Sequence, residues 1–240
     1  MTKTKQVSVP YMVMGVLFCV CLILANVLAT KQLGFADVSL FGLTIPLSWL
    51  QLTGGVIVFP LSYILNDCIA EVWGYRRARL IIWLAFATNA LFVLFGALAD
   101  ALPAAPYWHN DAGFHQIFGL APRIAFASFL SFLVGSFLNA YVMSKMKVAD
   151  GGKRFAWRAV ASTLVGETAD SLIFFPLALG GIVPWEFMPA MILSQLLVKV
   201  GYEIVVLPIT TRVVALVKRI DNADVYDNDV AYNVFRVADM

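Results

Sequence analysis

Charge is scarce in this sequence. Only 13% of its 240 residues are Asp, Glu, Lys or Arg, about half the share of an ordinary globular protein, while 61% are apolar and mean hydropathy is +0.83. Soluble globular and disordered classes are thereby excluded, leaving an integral membrane protein. Basic residues number 17 and acidic residues 15, scattered along the chain, so no nucleic-acid-binding surface is implied. Histidine occurs twice, at His109 and His115 in one polar stretch, which rules out a His-rich metal centre within the membrane part. Cys19, Cys21 and Cys68 all fall inside apolar stretches, where they read as small packing residues and not as a disulfide framework. No H-E-x-x-H, G-x-S-x-G or P-loop pattern occurs, and no cofactor is called for.

Long apolar runs are what the sequence does contain. A bilayer core of about 30 Å needs about 20 apolar residues per helix. Six stretches qualify, at 11–29, 46–73, 80–102, 124–143, 159–182 and 188–217, which predicts an all-α integral membrane protein of six transmembrane helices. The first run is too long for the apolar region of a signal peptide and reads as a mature helix. Fourteen of the 17 Lys and Arg residues fall on one side of this arrangement, and the positive-inside rule then makes both termini cytoplasmic. Residues 1–220 form the transmembrane domain. Residues 221–240, with Asp221, Asp224, Asp227, Asp229 and Asp239, read as a solvated acidic tail. Trp49, Trp73, Trp108, Trp157 and Trp185 near helix ends read as interface anchors. The second run is long, roughly 42 Å if helical, and contains Gly54, Gly55 and Pro60. It either tilts or is broken there and lines a cavity with unwound backbone.

Ionisable residues at membrane depth cost at least about 2.5 kcal/mol each to insert, so each asks for a partner or a task. Glu167 and Asp170 are three apart on the fifth helix, with Phe174 on the same stripe, about 13 to 18 Å beyond Arg158. Gln195, Lys199 and Glu203 recur at spacing four on the sixth, and Asn89 of the third lies at a similar level. Tyr63, Asp67 and Glu71 share a face of the second, while Asn26 and Gln51 lie nearer the external side. A bundle-fixing ion-pair network is one reading, with Lys199 paired to Asp170 or Glu203, and Glu71 paired to Arg76, Arg77 or Arg79. Against it, Glu167, Asp170 and Glu203 outnumber Lys199 even before Asp67 is counted. A carrier of a polar or cationic small molecule explains that surplus. An intramembrane hydrolase using Asp67 with Asp170 is a third, less economical reading.

Five blocks, in order, resemble the VUT family of integral membrane proteins, the queuosine precursor transporters. They are Ala25-Asn26 with Ala29 and Lys31; Pro60, Tyr63, Asp67, Glu71 and Gly74 in FPLSYILNDCIAEVWGYRRAR; Arg123, Ala127 and Ser128 in RIAFASF; Arg158, Ser162, Thr163, Glu167, Asp170 and Phe174 in RAVASTLVGETADSLIFF; and Lys199, Glu203 and Pro208 in KVGYEIVVLP. That family is similar in architecture to the substrate-binding S-component subunits of energy-coupling-factor transporters. The resemblance implies uptake of 7-cyano-7-deazaguanine or 7-aminomethyl-7-deazaguanine through a bacterial cytoplasmic (inner) membrane. The chemistry is compatible: a carboxylate accepts the ring N1–H and exocyclic amine of a deazaguanine as a fork. Glu167 or Asp170 would supply it, Asn89, Gln51, Asn26 or Lys199 would donate to the carbonyl, and Phe174, Tyr63 or Phe59 would stack on the ring. Asp67 and Glu203 complete the candidate set. The implied partners are the bilayer and a small-molecule base, with a homo-oligomer left open. A secondary carrier is the leading reading, and a binding subunit of an ATP-driven vitamin or nucleobase uptake system is the alternative. The Ala25/Ala29 pair on helix one, small residues at spacing four, is of the kind that packs against a partner helix.

Overall fold

The computed structural model describes residues 7–40, 43–45, 47, 50–118, 122–181, 184–228 and 233. Among these residues the helices are α1 (Val9–Ala29), α2 (Phe59–Trp73), α3 (Tyr75–Asp100), α4 (Asp111–Phe118), α5 (Pro122–Asp150), α6 (Phe155–Leu179) and α7 (Met188–Asp221), and the strands are β1 (Gln32–Gly34), β2 (Val38–Leu40), β3 (Leu43–Ile45) and β4 (Gln51–Thr53). Four helices qualify as membrane spans by length and apolarity alone: α1, α3, the greater part of α5, and α7 with the short turn before it. The other two expected crossings differ for separate reasons. The helix α6 has 25 residues but carries Arg158, Glu167 and Asp170, whereas α2 has only 15 residues, about 22 Å, less than a hydrocarbon core.

The second apolar stretch is broken. Its first part pairs as strand β4 against β1, antiparallel, with Gln51 opposite Gly34, and β2 pairs with β3 in a separate two-stranded ribbon. A 3-10 turn, Gly54–Ile57, then leads into α2, which has a proline in its first turn. Close approach explains the break. A Cβ at Gly54 would stand 2.5 Å from the Leu28 carbonyl oxygen and one at Gly55 2.7 Å from that of Ala25, so only glycines let this backbone lie against the end of α1. Trp49, an expected interface anchor, lies outside the described residues, as do the side chains of Gln51 and Phe59.

The chain turns sharply from α2 into α3 at Gly74, whose φ of 82° favours glycine. The helices α5 and α6 form a tight hairpin. At its centre a Cβ on Gly135 would meet the Gly166 carbonyl oxygen at 2.8 Å and the Tyr63 hydroxyl at 2.5 Å, so small residues set the spacing. The main core gathers Phe18 and Leu22 of α1, Ile69 of α2, Ile82 of α3 and Phe132 of α5. Outward, Val16, Val20 and Leu24 of α1 and Leu91, Leu94 and Phe95 of α3 are exposed. Such a large apolar periphery is what lipid covers.

Where α1 begins and α7 ends, the described part of the acidic segment lies against the helices. Five of residues 221–228 are exposed, yet the segment makes specific bonds. The backbone N–H of Val225 donates to the Val72 carbonyl at 3.1 Å, and Trp73 Nε1 donates to Asp221 at 2.5 Å. Asp227 is buried, accepting from the Tyr75 backbone N–H at 2.9 Å and from the Ser144 hydroxyl. The Tyr75 bond arises because α3 opens there with orphan N–H groups, and a carboxylate beside a helix N-terminus satisfies one of them.

Candidate functional site

Three helices deliver the ionisable groups to the bundle interior. On α6, Glu167 and Asp170 share the inward face with Thr163, and on α7, Gln195, Lys199 and Glu203 recur at spacing four on the face that meets them. Lys199 joins the two helices. Its Nζ stands 2.6 Å from Glu167 Oε2 and donates to Asp170 Oδ2 at 3.1 Å, and all three side chains are buried. The second oxygen of Asp170, Oδ1, has no hydrogen-bond partner. Asp170 lies beside Tyr63 of α2 at the Gly135–Gly166 crossing, where the glycines bring the helices closest.

Toward the chain termini lies a second polar layer. Asp67 accepts from the Ser162 hydroxyl at 3.3 Å and is within hydrogen-bond reach of Asn139 and Glu203; Glu203 also reaches Thr163. Asn66 donates to Asn139 Oδ1 at 2.8 Å, tying α2 to α5. Although these groups are close, neither oxygen of Glu203 makes a well-formed hydrogen bond, nor does Oδ2 of Asp67. These two layers therefore hold four carboxyl groups with one lysine among them.

Beyond Asp170, on the side away from Glu71, a small pocket of about 30 Å³ opens between the helices. Asn26 from α1, Thr53 and Gly55 from the broken segment, Ser128 and Ser131 from α5, Asp170 and Phe174 from α6, and Gln195 and Lys199 from α7 all border it. The break in the second stretch contributes directly, because its unwound backbone forms part of the wall.

The candidates from the sequence separate accordingly. Asn26, Asp170, Phe174 and Lys199 meet at the pocket; Glu167 stands behind it as a counter-ion of Lys199; Tyr63, Asp67 and Glu203 lie buried in the adjoining polar layers. Asn89 is wholly buried on α3 with neither amide atom hydrogen-bonded, but it does not border the pocket. The backbone of Gln51 belongs to β4, and its side chain lies outside the described residues. Gln195, Ser128, Ser131 and Thr53 border the pocket and were missing from the candidate set. For Gln195 the signal was present, since it is one turn from Lys199 on the same face.

Glu71 is placed elsewhere, in an ion-pair network at the end bearing the termini. It pairs with Arg158 Nη1 at 2.6 Å and Lys218 Nζ at 2.6 Å, not with the arginines that follow it as the sequence suggested. Lys147 donates to its carbonyl oxygen and pairs with Asp224 at 2.6 Å. Partial burial pushes the Asp224 carboxyl up, but hydrogen bonds and charge from Lys147 and Lys218 outweigh it and leave it below its ordinary value.

Chemically, the pocket brings hydrogen-bond acceptors, one ammonium and an aromatic ring together. The family model described as "Putative vitamin uptake transporter" matches residues 53–213, a span from the wall of this pocket to the last helix. The chain belongs to the vitamin uptake transporter family. Among curated proteins it is 30% identical over 187 residues, 77% of each chain, to one of Bacillus subtilis (strain 168) named "Probable queuosine precursor transporter". It is also 28% identical over 126 residues to the queuosine precursor transporter of Escherichia coli (strain K12), covering 52% of this chain and 54% of that one. No solved structure matches. This member of the family is thus a multi-pass transporter of the bacterial inner membrane and not an enzyme.

Proposed function

We propose that this transporter takes up queuosine precursors, 7-cyano-7-deazaguanine or 7-aminomethyl-7-deazaguanine, as a secondary carrier, and that the base binds in the pocket beside Asp170. Two relatives named for queuosine precursors support the substrate class. The observation that carries the site is the buried Asp170–Lys199 pair at the pocket floor, with one Asp170 oxygen unsatisfied. A deazaguanine brings N1–H and an exocyclic amine side by side, and a carboxylate accepts such a fork. Lys199 is placed to donate to the ring carbonyl, and Phe174 offers a stacking face. An aminomethyl group would add a cation to an interior where carboxyls exceed lysines. Glu167 holds Lys199 in position, while Tyr63, Asp67 and Glu203 support the floor from beneath.

In this reading all six apolar stretches cross the bilayer, α2 together with the broken segment counting as one. The end rich in Lys and Arg, with both termini, faces the cytoplasm. The pocket then opens outward, as uptake requires. The test is binding and uptake together. The purified protein should be thermally stabilised by 7-deazaguanines and not by unrelated vitamins, because a ligand of the folded state raises its melting temperature. Reconstituted alone in liposomes, it should accumulate labelled precursor without an ATPase, and Asp170→Asn, shown to be folded and inserted, should lose at least tenfold of that uptake. Native uptake by Asp170→Asn would refute the site; strict dependence on an added ATP-driven module would refute the carrier mechanism.

A further inference from the structure

The pocket contains a second unsatisfied acceptor, and it comes from a different element than Asp170. Gln195 is 7% exposed, borders the pocket, and has an amide oxygen with no hydrogen-bond donor. A buried acceptor without a donor costs about 1 to 3 kcal/mol, so native interiors supply one from protein, water or ligand. The nearby ammonium of Lys199 bonds Glu167 and Asp170 and does not reach this oxygen. Gln195 precedes Lys199 by one helical turn, about 5 to 6 Å along α7. The two unsatisfied oxygens that border the pocket, Asp170 Oδ1 and Gln195 Oε1, come from different helices, α6 and α7.

From these two acceptors we propose that Gln195 is a specificity-determining residue that accepts an N–H of the base other than those held by Asp170. The inference rests on the base-binding reading above and deepens it. With Asp170 taking N1–H and the exocyclic amine, the opposite edge of a 7-deazaguanine presents the pyrrole N9–H. A free base satisfies both acceptors. A nucleoside, or any base alkylated at that nitrogen, leaves the Gln195 oxygen buried without a donor. The site thus selects free bases over their nucleosides, by the same logic through which a site built to bond an N–H rejects analogues lacking it.

The test is a two-by-two comparison of dissociation constants on the full-length detergent-purified protein, using wild type and Gln195→Leu, with 7-aminomethyl-7-deazaguanine and its 9-methyl derivative as probes. Wild type should bind the parent base at least tenfold more tightly than the 9-methyl compound. Gln195→Leu should bind the parent at least tenfold more weakly than wild type does, and should discriminate the two probes by less than about threefold. Gln195→Glu, which keeps an acceptor, should retain the preference for the parent and serves in place of Gln195→Leu should that variant not fold. If Gln195→Leu binds the parent as wild type does, or if its preference against the 9-methyl compound equals that of wild type, the role of Gln195 is overturned. Equal binding of the two probes by wild type overturns it without any variant. Failure of wild type to bind either probe refutes the base-binding reading itself, a distinct outcome.

Discussion

Lys199 is the most constrained residue of the interior, because its one positive charge is shared by two carboxylates that are as buried as it is. Removing one partner of a buried pair leaves an uncompensated charge in a poorly solvated place, which costs about 3 to 5 kcal/mol. Lys199→Met should accordingly lower stability by that order, and the double variant Lys199→Met/Glu167→Gln should recover part of the loss because it removes one stranded carboxylate. Thermal unfolding in detergent measures both. A double variant no more stable than the single one would show that Glu167 does not depend on Lys199 for its charge. The spacing that puts Glu167 and Asp170 on one face is readable from the sequence, as is the recurrence of Gln195, Lys199 and Glu203. What the spacing does not contain is the rotation of each helix about its axis. Three residues subtend only part of a turn, so Asp170 borders the pocket while Glu167 faces the lysine behind it.

That rotation is decided between elements, at the crossing of α5 and α6, where Gly135 and Gly166 put backbone against backbone with Tyr63 lodged beside them. A methyl group on Gly166 would stand 2.8 Å from the Gly135 carbonyl oxygen and 3.0 Å from Asn139 Cβ, neither of which is the far end of a flexible side chain. Gly166→Ala should therefore force the hairpin apart, costing about 1 to 3 kcal/mol as overpacking does, and should shift Asp170 relative to Lys199. The expectation is a lowered melting temperature with uptake reduced more than the remaining folded fraction explains; unchanged uptake per folded molecule would separate the crossing from the site. Helices α1, α3, α5 and α7 are legible in the sequence because each is a continuous apolar run of helical length. The stretch from residue 46 is not, since a short apolar run reads equally as helix or strand. Its conformation depends on Gly54 and Gly55 meeting the carbonyls of α1 some 25 to 30 positions earlier in the chain.

Across the whole molecule, the two ends of the bundle are built from opposite materials. One end holds a pocket with unsatisfied acceptors, while the other is closed by a web in which Glu71, Lys147, Arg158, Lys218 and Asp224 pair with one another and Asp227 joins α3 to α5. Composition hid this web, because an acidic segment after the last helix looks like solvated chain until the fold places Tyr75 and Lys147 beneath it. Asp227→Ala should cost about 1 to 3 kcal/mol, the penalty for leaving the buried Tyr75 N–H and Ser144 hydroxyl without their acceptor, whereas a truly solvated aspartate would cost nothing measurable. Asp224 makes the more discriminating case because it titrates. Its carboxyl is held below its ordinary value by Lys147 and Lys218, so it binds protons less readily in the folded chain than in the unfolded one. Such a group stabilises the fold fully above its unfolded pKa, and that contribution disappears as pH falls through the lower folded value. Wild type should consequently lose melting temperature on acidification through the carboxylate range by more than Asp224→Asn, whose amide cannot titrate, while the variant should be the less stable of the two near neutral pH. Parallel melting-temperature profiles for the two proteins would mean that the lysines hold the tail by other atoms.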